Sequence, residues 1–181
     1  MTDACTIDWD FIQSLEGFRI EGYVPSDTSG VTIGTGFDIG QHSKAALQAF
    51  GFTESTLTKL LPFSGLVGDD ARGALNRAPL VLNTQEAQEL DACVHKSYVS
   101  QIESEYNQNS DFVFSFLDSA KQTVIMSVGF QYGSLKTRCP NFFSAITQGL
   151  WQKAVDELSN FGDAYPTRRK KEAVLLASSL Q

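Results

Sequence analysis

Glu16 stands in the last turn of a segment that reads as a helix: Asp8 can cap it, and Phe11, Ile12, Leu15 and Phe18 share one apolar stripe. A carboxyl in that place meets the partial negative charge of the helix C-terminus. The apolar neighbours Leu15 and Phe18 add a desolvation penalty. Both effects disfavour the charged form, and a general acid must carry its proton to a leaving oxygen. Taken alone, a single glutamate is better explained by an exposed surface position. What singles Glu16 out is the stretch that follows it.

In VTIGTGFDIG, residues 31–40, Gly34 and Gly36 flank Thr35 and allow a tight hairpin turn. With the turn centred on Thr35, Thr32 and Asp38 lie three residues to either side and face one another. Directly opposed hairpin residues have Cβ atoms about 4.5–5.5 Å apart, and period-two alternation puts both on one face. A hydroxyl and a carboxylate side by side can hold and polarise one water. That is what a glycoside hydrolase sets opposite its proton donor. The competing explanation is a turn in which Thr32 and Asp38 only satisfy the backbone. The stretch also comes within one residue of a GxGxxG phosphate loop. Its third glycine falls at Gly40 and no long helix follows at once, so nucleotide binding is not expected.

Helices must position these residues. Gly17 and Gly22 mark the end of the first helix, and residues 23–41 read as a small β element with a turn through Pro25, Ser26, Asp27, Ser29 and Gly30. Short helices are expected at 43–50, 53–61 and 69–76. A longer one, capped by Thr84, carries Leu90, Val94, Tyr98 and Ile102 to about residue 106. Residues 112–117 read as a short apolar helix. Asp118 then caps SAKQTVIMSVGFQYG, apolar on most sides and ended by Gly133, which marks a helix buried in the middle of the fold. Helices near 141–148, 150–159 and 166–180 complete the chain, the last with Pro166 near its first turn.

The 181 residues, 42% of them apolar, suffice for one domain, or one with a small lobe, around a real core. There is no internal repeat, and no apolar run approaches the roughly 18 residues of a membrane span. The start, MTDACTIDWDF, lacks the basic and apolar regions of a signal peptide, so a soluble chain that leaves its cell by another route is expected. A net charge of −7 argues against nucleic acid as the main partner. The one dense basic run, Arg168-Arg169-Lys170-Lys171, reads as a solvated helix face. Cys5, Cys93 and Cys139 are odd in number and far apart, which opposes a disulfide framework or structural zinc. One disulfide stays open for a chain working outside the cytoplasm. Neither His42 nor His95 has a local serine or cysteine partner that suggests a catalytic pair.

Several of these segments resemble a known family. Glu16-Gly17-Phe18-Arg19, Tyr23, Asp27-Thr28 and Gly30-Val31-Thr32-Ile33-Gly34-Thr35-Gly36 are similar to the active-site stretch of T-even phage lysozymes. So, in order, are Glu86-Ala87 with Leu90, Gly129-Phe130-Gln131-Tyr132-Gly133, Phe142, Trp151, Ala154 and Thr167-Arg168-Arg169. The run Thr-Ile-Gly-Thr-Gly-Phe-Asp-Ile-Gly-Gln resembles more closely the pesticin-type branch, the muramidase domains of bacteriocins and of some type VI secretion spike proteins. That branch uses a glutamate, a threonine and an aspartate, which fall on Glu16, Thr32 and Asp38. The phage pattern would place the aspartate on Asp27 instead, but the loop here is two residues longer, through Pro25 and Ser26, and the hairpin spacing favours Asp38.

The resemblance implies a mostly α, two-lobed lysozyme-like fold in a single domain, 1–181. The small lobe with the hairpin would span about 17–60, and the helical lobe about 1–16 with 61–181. It implies that Arg168 pairs with the catalytic glutamate and that Gln131 lines the cleft floor; Gln131 reads equally well as a satisfied polar residue ending a buried helix. The activity implied is hydrolysis of the β-1,4 bond between N-acetylmuramic acid and N-acetylglucosamine in peptidoglycan, by a monomer with no metal or organic cofactor. A lytic transglycosylase and a non-catalytic peptidoglycan-binding module are the rival readings. An antibacterial role further implies delivery to a target cell wall by another system, and an immunity protein as inhibitor.

Overall fold

The computed structural model describes residues 6–180. Cys5, and any pairing it makes, lies outside the described residues. Cys93 and Cys139 are both free thiols, and burial pushes that of Cys139 up to about 11. By its contacts the chain divides into two compact units, Glu16–Ser97 and a second that joins the chain up to Leu15 with Tyr98 onward.

The first unit carries the sheet. Helix α1 (Trp9–Glu16) leads into it, opened by Asp8, whose Oδ1 accepts the Phe11 N–H at 2.9 Å. Strands β1 (Arg19–Tyr23), β2 (Thr32–Gly34) and β3 (Phe37–Asp38) pair antiparallel in that order. The β element therefore begins at Arg19, four residues before the sequence expectation. Gly22 does not stop a helix. It lies inside β1, and its missing side chain leaves room for Val31 and Leu80.

Helices α2 (Lys44–Ala49), α3 (Glu54–Leu60) and α4 (Gly68–Arg77) follow, then α5 (Thr84–Asn107), which contributes to this unit as far as Ser97. The unit thus extends well past residue 60, where the small lobe was expected to end. Backbone bonds explain why: Gly22 N–H donates to Leu80 O and Leu82 N–H to Ile20 O, each at 2.9 Å, and Val81 bridges Glu21. Those bonds seal the far edge of β1. Helix α5 is capped by Asn83 rather than Thr84. Asn83 Oδ1 accepts the Glu86 N–H, and Glu86 Oε2 accepts the Asn83 N–H, both at 2.9 Å, a reciprocal capping box.

The second unit is helical. Its core cluster includes Ile12, Ile102, Tyr106, Phe142, Ile146 and Leu158 around α6 (Ser119–Tyr132), whose residues 122–129 are all buried. Asp118 accepts the Lys121 N–H at 3.0 Å to start α6, and Gly133 ends it at φ +74°. The polar residues of this helix are engaged. Gln122 accepts the Thr6 N–H and Thr123 the Asp8 N–H, at 2.7 and 2.8 Å. Four residues then form α7 (Leu135–Arg138), too short for periodicity to reveal. Helices α8 (Pro140–Thr147), α9 (Trp151–Ser159) and α10 (Pro166–Ser178) close the unit. Residues 112–117 form only one 3-10 turn, Phe114–Phe116, around the buried Phe114. No described helix is long and apolar enough to cross a membrane.

Helix α10 is tied to α6 by a buried ionic knot. Glu172, fully buried, takes Ser127 Oγ–H at 2.5 Å, Arg168 Nε–H at 3.1 Å and Arg169 Nη1–H. The basic run is therefore only half a solvated face: Lys170 and Lys171 are exposed, while Arg168 and Arg169 are buried. Removing one partner leaves charges buried without compensation, at a cost of about 3–5 kcal/mol. Glu172→Ala should lower the urea unfolding free energy by about that much. A loss under about 1 kcal/mol, the size typical of an exposed pair, would show that water relieves the knot.

Candidate active site

Glu16 is the last residue of α1, and Gly17 turns the chain out of the helix at φ +81°. The half-buried Glu16 side chain lies against the hairpin turn. A Cβ added to Gly36 would stand 3.6 Å from Glu16 Oε2, in ordinary contact, which places the turn beside the carboxylate. Gly36 also holds φ +82°, a conformation strained for any other residue.

The hairpin turns on Thr35 and Gly36, with Thr32 opposite Asp38 and Ile33 opposite Phe37. That is the register the glycine spacing suggests. Gly30 ties the pair together from behind. Its N–H lies 3.0 and 3.1 Å from the two Asp38 carboxylate oxygens, and its carbonyl accepts the Thr32 hydroxyl at 3.3 Å. Asp38 Oδ1 also accepts the Gly40 N–H at 3.0 Å. A Cβ on Gly30 would sit 2.6 Å from Asp38 Oδ1, so no larger residue fits. Thr32 is 3% exposed. Its hydroxyl proton is directed at Gly30, which leaves its lone pairs to accept. The backbone-satisfying role is thus met by both side chains, and the Thr32 lone pairs stay open to a further donor.

Apolar packing backs the hairpin. Phe37 stacks on His42 with ring centroids 4.9 Å apart and meets Phe50 and Phe52 edge-on. Burial holds the His42 imidazole below its ordinary range, against the pull of Asp38. Asp27 is placed elsewhere. Its carboxylate is exposed and accepts Arg72 Nη2–H from α4 at 2.6 Å, and that bond raises the Arg72 pKa.

Arg168 and Gln131 belong to the helical unit. Arg168 gives Nε–H to Glu172 and Nη2–H to Ser127 O at 2.9 Å, and Gln131 Oε1 accepts Arg169 Nη2–H. The satisfied-polar reading of Gln131 therefore has a named partner. Among the described residues no group of His, Cys, Asp or Glu converges as a metal site.

One residue escaped the sequence reading. Asp91, on α5, accepts both the N–H and the hydroxyl of Thr35 at the tip of the turn, at 3.0 and 2.6 Å. Burial raises its pKa, and the two Thr35 bonds oppose the rise. The available signal was an acid beside Leu90 and four residues after Ala87, on the buried side of α5.

Residues 6–152 match the model of a family described as pesticin, a bacterial toxin homologue of phage lysozyme, C-terminal part. The match spans Glu16, Asp27, Thr32, Asp38 and Gln131 and stops before Arg168. No curated protein matches the chain.

Because Oδ1 alone can take both the Gly30 and the Gly40 N–H groups, Asp38→Asn keeps the structural bonds while removing the charge. Asp38→Ala strands two part-buried donors, at about 1–3 kcal/mol each. Chemical denaturation should therefore show Asp38→Asn within about 1 kcal/mol of wild type and Asp38→Ala clearly below both. Equal losses in the two variants would mean that the carboxylate charge, not the bonds, holds the hairpin.

Proposed function

Because the chain belongs to the pesticin family of bacterial toxin homologues of phage lysozyme, we propose that it is a muramidase that hydrolyses the β-1,4 bond between N-acetylmuramic acid and N-acetylglucosamine. The observation that carries this reading is the Thr32–Asp38 pair in direct register on a hairpin whose turn abuts the Glu16 carboxyl. Glu16 gives its proton to the glycosidic oxygen as the bond to the anomeric carbon breaks. Charge develops on the sugar ring as in an oxocarbenium ion. Asp38 and Thr32 hold the water whose oxygen joins that carbon, and Asp38 takes the proton the water loses. A new hydroxyl on each fragment completes the balance. On the same reading the chain is an antibacterial effector or lysin, delivered to the wall of a target bacterium, and its producer carries an inhibitor against it.

Asp27 has no part in this mechanism, because its carboxylate is already matched to Arg72 on the surface. Zymography on purified peptidoglycan, with mass spectrometry of the fragments, tests the assignment. Glu16→Gln and Asp38→Asn should each lose about 10²-fold or more in rate, while Asp27→Asn stays close to wild type. An inactive Asp27→Asn beside an active Asp38→Asn would reverse the choice of aspartate. Fragments ending in anhydro sugars would replace hydrolysis with lytic transglycosylation. Undiminished peptidoglycan binding with no cleavage by wild type would reduce the chain to a binding module.

A further inference from the structure

The contact between Asp91 and Thr35 has no role in the mechanism above, yet it joins two buried residues 56 positions apart. Asp91 is 7% exposed and Thr35 1%. Both carboxylate oxygens are spent on one residue: Oδ1 on its N–H, Oδ2 on its hydroxyl. The neighbouring Gly34, at φ +62°, leaves room for them, since a Cβ there would collide with Asp91 Oδ1. Burying a carboxylate is costly, and here the Thr35 N–H and hydroxyl offset that cost by hydrogen bonding to it. What the carboxylate supplies is direction. It fixes the tip of the turn at two points.

The hairpin needs such a fixture. Its ladder has only three residues in β2 and two in β3. A slip of one residue would turn Thr32 and Asp38 onto opposite faces. The Gly30 bonds hold the open end of the hairpin and the Asp91 bonds hold the closed end, where Gly36 lies against Glu16. We propose that Asp91 is a positioning residue of the hydrolytic site, clamping the Thr35–Gly36 turn to α5 so that Thr32 and Asp38 keep their register and their placement against Glu16. This rests on the muramidase reading for its effect on rate, though not for its effect on the hairpin.

The test uses the full chain and soluble peptidoglycan fragments. Asp91→Asn keeps size and loses one acceptor; Thr35→Val loses the hydroxyl; Thr35→Ser keeps both donors. Asp91→Asn and Thr35→Val should each lower kcat about 10–100-fold, as misplacement of a catalytic group does, with KM within about threefold and the protein still folded at the assay temperature. Thr35→Ser should retain most of the rate. In the same samples, amide exchange at Ile33, Thr35 and Phe37 should quicken about tenfold or more in Asp91→Asn, the loss of roughly one charge-assisted hydrogen bond. Wild-type kcat and wild-type exchange in Asp91→Asn would overturn the proposal. So would a fall in kcat that only tracks the fraction unfolded. If wild type cleaves nothing, the muramidase reading falls, and faster hairpin exchange in Asp91→Asn still upholds the clamp, whereas unchanged exchange removes it too.

Discussion

Asp38 takes the N–H groups of Gly30 and Gly40 on a single oxygen, and this small knot governs everything the hairpin presents. It joins the chain entering β2 to the chain leaving β3, so the open end of the hairpin is closed by one side chain. Gly30 also receives the Thr32 hydroxyl, which orients the second member of the pair. A backbone N–H aimed at a carboxylate is among the stronger hydrogen bonds available. Five ladder residues carry few bonds of their own, and β1 pairs with β2 on its other side. Phe37, Phe50 and Phe52 supply the apolar backing and the polar knot supplies the register.

The helical unit meets a comparable demand in another way. Arg168 pairs with Glu172, and Arg169 with Glu172 and Asp163. Arg169 lies over the rings of Tyr132 and Phe161, 5.4 and 4.7 Å from their centroids, and Tyr132 donates its hydroxyl to Asp163 at 2.7 Å. Burial and the Asp163 charge together push the Tyr132 phenol up to about 12, which keeps it a donor. Beside the packing of α10, each guanidinium has several fixed partners, which tie the helix to α6 and to Asp163.

What the chain reveals before folding follows the range of the interactions. The hairpin register was legible because Gly34 and Gly36 sit symmetrically about Thr35, and local turn chemistry set the rest. The buried helix α6 was legible because nearly every face is apolar. Strand β1 was not, because Gly22 looks like a helix stop until Val31 and Leu80 are seen to close over it. Arg168 and Arg169 looked solvated because their acidic partners are spread among other residues: Glu172 one turn on, Asp163 before the helix. Asp91 was harder to see, since its place on the apolar side of α5 marks burial but its partner lies 56 residues away.

The choice between two aspartates shows how placement limits chemistry. Asp27 lies on a loop bounded by Pro25 and Gly30, fully in solvent, and its carboxylate is matched to Arg72. Asp38 lies on the strand directly opposite Thr32, so a single ladder contact sets their separation. A group on a rigid element holds its geometry better than one on a loop. In the proposed mechanism the water-holding pair must keep fixed spacing while charge builds on the sugar. The Asp27–Arg72 pair cannot supply such rigidity, because an exposed ion pair contributes little to stability and fixes little geometry.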